Sequence, residues 1–108
     1  MQRQRAAERL IEIDPFDAGA HSTLGELALA RGDVALAIRE LQTAVDAGPP
    51  NPAEALTSLA EATLKTGGRE AAKRQLIRAL EAAPRYERAQ ELLLQVMETG
   101  PTGGASRP

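Results

Sequence analysis

Nucleophilic catalysis needs a Ser, Thr or Cys poised by a base, most often a histidine. This chain has one histidine, His21, and no cysteine. Asp17 stands four residues before it, on the same face of a helix. Such a pair can cap a helix, form an ion pair or supply two metal ligands. A stable zinc site takes three or four ligands, and the nearby Glu26 points elsewhere. His21 therefore reads as a partly buried packing residue, and no metal site or cofactor is expected. No Gly-rich loop runs into Lys-Ser or Lys-Thr, and Thr66-Gly67-Gly68-Arg69 is a turn between helices. The carboxylates fall at helical spacings that suit solvated faces. The expectation is a chain with no catalytic residues.

Composition excludes further classes. The 108 residues carry a net charge of −2 with acidic and basic side chains interspersed. That balance offers neither a basic footprint for nucleic acid nor a cationic amphipathic face for a membrane surface. No apolar run approaches a membrane span or a signal-peptide core. A soluble protein is predicted, with the cytoplasm favoured, although the missing cysteines do not by themselves identify a compartment. Arg outnumbers Lys 11 to 2, as GC-rich codons encode, which points to a bacterial source. Phe16 and Tyr86 are the only aromatic residues, so Leu and Ala must fill the core. The chain is rich in helix formers, and the Val-Ile-Thr alternation of strands is missing.

The elements that would position any site repeat themselves. Leu24 recurs as Leu59, Gly32 as Gly67, Ala37 as Ala72, Leu41 as Leu76, Ala44 as Ala79 and Pro49 as Pro84, always 35 residues on. Glu26 and Glu61 keep the same spacing. A period in this range signals a stacked array whose units bury their apolar faces against one another. Capping and breaking residues predict six helices. The first covers 2–13 and ends at Asp14-Pro15. The second covers 18–30 behind an Asp17 cap, and the third covers 34–47 behind Gly32 and an Asp33 cap. For the fourth, Asn51 is the expected cap, Pro52 the first helical residue and Glu54 the residue reaching back. It ends at Thr66-Gly67-Gly68, and the last two cover 69–83 and 86–98. Short connections force neighbours to pack antiparallel. The predicted organisation is a half repeat 2–17, repeats 18–52 and 53–86, a half repeat 87–99 and a disordered Gly/Pro/Ser tail 100–108.

This arrangement resembles the tetratricopeptide repeat, whose pattern runs W-x₂-L-G-x₂-Y, then A-x₃-F, then P. The first copy reads His21-x₂-Leu24-Gly25-x₂-Ala28, then Ala37-x₃-Leu41, Ala44 and Pro49. The second reads Leu56-x₂-Leu59-Ala60-x₂-Thr63, then Ala72-x₃-Leu76, Ala79 and Pro84. Leu10-Ile11-Glu12-Ile13-Asp14-Pro15 looks like the end of an earlier repeat, and Ala89, Leu93 and Leu94 like the opening of a later one. None of the family's aromatic residues is kept, and Pro49-Pro50 makes the first full repeat one residue long. The fold implied is an all-α, curved solenoid of antiparallel helix pairs.

The resemblance implies that the first helix of each repeat lines a concave groove for an extended peptide or a partner helix. Carried over by position, the groove takes Ser22, Glu26, Leu29 and Ala30 from the first repeat. The second gives Glu54, Thr57, Ser58, Glu61, Leu64 and Lys65, and the last helix gives Arg88, Glu91, Leu92 and Gln95. The Lys/Asn clamp with which some members hold a peptide carboxylate is missing, its places being taken by Ser22, Glu26 and Ser58. Glu26, Glu54, Glu61 and Glu91 outweigh Lys65 and Arg88, which suits a basic or apolar-basic segment; the plainer alternative is a set of solvated helix positions. Leu92 and Val96, with Leu93, Leu94 and Met97, carry apolar surface beyond one stripe of the last helix. They are expected to form an exposed edge that meets a second copy or a neighbouring domain. The function implied is a non-catalytic protein-interaction scaffold. A docking appendage of a larger enzyme and a self-assembling repeat unit are the alternatives.

Overall fold

Turn residues divide the helix-forming stretches into six α-helices in the computed structural model, which describes residues 2–14 and 17–98. They are α1 (Gln2–Ile13), α2 (Ala18–Arg31), α3 (Val34–Asp46), α4 (Ala53–Lys65), α5 (Arg69–Ala82) and α6 (Glu87–Glu98). No strand occurs among the described residues, and the all-α class stands. Pro15 and the 100–108 tail lie outside the described residues.

The helix ends follow from local chemistry. The Asp17 carboxylate accepts a hydrogen bond from the Ala20 N–H at 2.8 Å, and that of Asp33 accepts from the Leu36 N–H at 3.3 Å. Gly32 (φ 84°) and Gly67 (φ 86°) take the left-handed conformation that closes α2 and α4. Their N–H groups bond to Leu29 and Leu64, and those of the next residues bond to Ala28 and Thr63, so one turn is built twice. The start of α4 departs from expectation. Pro52 is the cap residue rather than the first helical one, and its carbonyl accepts from the Leu56 N–H at 2.9 Å. Asn51 instead accepts from the Ala53 N–H at 3.1 Å, because Pro52 has no N–H to offer.

Each helix packs on the next in the chain, most closely α2 with α3 and α4 with α5. In addition α2 touches α4 and α4 touches α6. Alternate helices therefore share one face of the array, and any site built on that face draws on all three. Small residues set the approach within pairs. Ala37, Ala44, Ala72 and Ala79 are fully buried, as are the Leu41 and Leu76 side chains between them. At Gly25 the fit is tightest: an added β-carbon would lie 2.5 Å from Leu41 Cγ and 3.2 Å from the Leu41 backbone nitrogen. His21 is 8% exposed, and its Nδ1 lies 2.6 Å from Glu40 Oε1, joining α2 to α3.

The predicted apolar edge at Leu92 and Val96 is not where the structure exposes it. Val96 is buried in the core and Leu92 is half-buried against it. Both face the preceding helices, where the matching Ser58 and Ala62 are also buried. The exposed apolar side chains of α6 are Leu94 and Met97.

Candidate functional site

Four turns of α4 carry Glu54 near its start, Ser58 and Glu61 in the middle and Lys65 at its end. Residues three and four apart share one helix face, so these side chains line up. The contacts of α2 and α6 with α4 bring Glu26, Leu29 and Ala30 to one side of that row and Arg88 to the other. The result is a groove of about 400 Å³ lined by these eight residues.

A hydrogen-bonded relay crosses it. Arg88 Nη2 donates to Glu61 Oε1 at 2.5 Å, and Arg88 Nη1 donates to Ser58 Oγ at 3.3 Å. The Ser58 hydroxyl in turn donates to Glu26 Oε2 at 3.4 Å. Arg3 of α1 reaches the other oxygen of Glu26 at 3.5 Å. Four helices are thus tied together across one surface. Ser58 is 1% exposed, so its hydroxyl must be satisfied within the relay.

The charges are unevenly matched. Burial and the neighbouring Glu54 carboxylate push Glu26 above its ordinary range, outweighing the pull of Arg3, Ser58 and Arg88. Burial alone would lower Arg88, but its bonds with Glu61 and Tyr86 raise it and keep the guanidinium charged. No ion pair joins Glu54 or Lys65 to another described residue. The groove is therefore acidic where Glu26 meets Glu54, apolar at Leu29 and Ala30, and basic at Lys65.

Eight of the expected groove residues come together in this lining: Glu26, Leu29, Ala30, Glu54, Ser58, Glu61, Lys65 and Arg88. Ser22 lines a separate depression beside Pro49 and Asn51, with Glu54 on the ridge between the two. Glu91 and Gln95 are exposed on α6 outside the lining. Thr57 has to be removed from the site. It is wholly buried and its hydroxyl donates to the Ala53 carbonyl at 2.7 Å, so its polarity is consumed inside its own helix. The spaced pair Glu26 and Glu61 is also not the acidic centre, because Arg88 neutralises Glu61. Arg3 was invisible to sequence reasoning, lying on a different helix with no motif to mark it. Among the described residues, no three His, Asp or Glu side chains cluster to hold a metal ion, and no helix is long and apolar enough to cross a membrane.

A family model described as tetratricopeptide repeat matches residues 4–52, from α1 to the residue before α4 begins. No curated protein matches the chain.

Proposed function

Since residues 4–52 match the tetratricopeptide repeat, we propose that this chain is a non-catalytic interaction module of that family that holds a basic or apolar-basic segment of a protein partner in the α2/α4/α6 groove. Repeats of this family mediate contacts between proteins. The observation that supports this partner chemistry is the Glu54 carboxylate, in no ion pair with another described residue, beside Glu26 and next to the apolar strip of Leu29 and Ala30. A lysine or arginine at that end relieves the repulsion between the two carboxylates, while an adjacent aliphatic side chain covers the strip. Each exposed charge pair contributes only about 0–1 kcal/mol, so electrostatics set selectivity and encounter rate more than affinity.

A peptide array of basic, mixed and acidic segments tests the proposal. Basic and apolar-basic peptides are expected to be captured preferentially and to be released by salt. Glu26→Lys/Glu54→Lys is expected to reverse the preference. Equal or better capture of acidic peptides by the parent protein would remove the proposal.

A further inference from the structure

The outermost described helices, α1 and α6, complement each other. Helices α2, α4 and α6 begin at Ala18, Ala53 and Glu87, and aligned on those starts they bury Ala20, Ala55 and Ala89 at one shared position. In that register Leu94 falls where Gly25 and Ala60 stand, and Met97 where Ala28 and Thr63 stand. In the first helix pair, Gly25 is the place where the second helix comes closest and sets Leu41 against it. Among the described residues no helix follows α6, and Leu94 and Met97 are each 57% exposed.

At the other end, the sequence aligns α1 with α3 and α5 through Pro15, Pro49 and Pro84. Ala7, itself 3% exposed at the floor of the α1–α2 contact, then falls where Leu41 and Leu76 stand. Leu10, 44% exposed, falls where Ala44 and Ala79 are fully buried. Within the array a small residue on the first helix meets a leucine on the second. At the ends the sizes are exchanged, with Leu94 on α6 and Ala7 on α1. A depression of about 330 Å³ lies between α1 and α2, with Ala6, Ala7, Leu10, Gly19 and Ala20 in its wall. A helix seated there would touch α1 as α2 touches α3, and α2 as α2 touches α4. The wall of the depression also carries Arg3 and Asp17, and Arg3 is the cation there that an acidic helix can meet. On α6, Glu87, Glu91 and Glu98 lie seven and three residues before and four after Leu94, on the face that would be presented to Arg3.

We propose that the occupant of this seat is a second copy of the chain: α6 of one copy docks between α1 and α2 of the next, placing Leu94 in the depression beside the exposed Leu10. The two surfaces differ, so the contact is head-to-tail and does not close on itself. Continuous arrays of the same helix-pair packing result.

Sedimentation of the whole chain over a concentration series reads this directly. The average mass should rise with concentration and pass beyond that of a dimer. Leu94→Lys blocks one end and Leu10→Glu the other, and both sites are exposed enough to leave helicity by circular dichroism unchanged. Each variant alone is expected to be monomeric, while an equimolar mixture forms a one-to-one dimer and stops there. A parent chain that stays monomeric throughout would overturn the proposal. So would Leu10→Glu that still self-associates, the mark of an α6-to-α6 dimer, or a mixture that stays monomeric.

Discussion

Gly25 and Leu41 occupy space that only one of them can fill: a β-carbon on the glycine would sit 2.5 Å from the leucine Cγ. The closest approach of the first helix pair is therefore set by a missing side chain. Gly25→Ala should destabilise the fold by about 1–3 kcal/mol through overpacking. Leu41→Ala should cost about 2–5 kcal/mol through the cavity it leaves. The double variant should lose clearly less than the sum, since each change relieves the other. Urea denaturation of the four proteins measures the coupling, and strict additivity would mean that the two residues do not share the space.

Ala37 and Ala72, fully buried at equivalent places in successive pairs, should be equally intolerant of bulk. Ala37→Leu and Ala72→Leu are each expected to cost about 1–3 kcal/mol. Thermal melts that match the parent would show that these contacts are looser than described.

Glu26 gives a pH signature. Its folded-state carboxyl is raised above the ordinary 4.5, first by burial and then by Glu54. The folded protein therefore holds this proton more tightly than the unfolded chain does. The associated stability is full at acid pH and is lost as pH rises from the ordinary carboxylate range through the raised folded value. Glu26→Gln should accordingly stabilise the protein near neutral pH, and the gain should vanish below the ordinary carboxylate range. Urea titrations at the two pH values measure it; a variant less stable than the parent at neutral pH would contradict the assignment.

Arg88 is the cation that occupies the groove from within. Removing it by Arg88→Ala frees Glu61 and one contact of Ser58. Stability should fall by no more than about 1 kcal/mol, because the pair with Glu61 is largely exposed. Capture of basic peptides should tighten, as read by fluorescence anisotropy with the same peptides that bind the parent. Weaker capture would instead make Arg88 part of the binding surface.

Local signals carried most of the fold. Asp17 and Asp33 cap because a side-chain oxygen two or three residues ahead of a free N–H needs nothing else, and the glycines at 32 and 67 close helices for equally local reasons. The site was less legible. Thr57 looked like a groove residue because it is polar, but a threonine can satisfy its hydroxyl on the carbonyl four residues back and be buried. The pairing of Arg3 with Glu26 depends on how α1 lies across α2, which no spacing within either helix records. Leu92 and Leu94 are only two residues apart, and which of them faces solvent follows from the helix's rotation against α4 and α5.

The grip of Arg3 on Glu26 also makes the two proposed surfaces answer to one another. Arg3 belongs to the wall of the α1–α2 depression, while Glu26 belongs to the groove. A neighbour that draws Arg3 into its own acidic helix leaves Glu26 with one counter-charge fewer, and a cation in the groove then fills the deficit more readily. Thermodynamic reciprocity requires the converse: a basic segment bound at Glu26 releases Arg3 and strengthens the end-to-end contact by the same factor. Under the two proposals, assembly and ligand occupancy are coupled through the Glu26 carboxylate that Arg3 reaches at 3.5 Å.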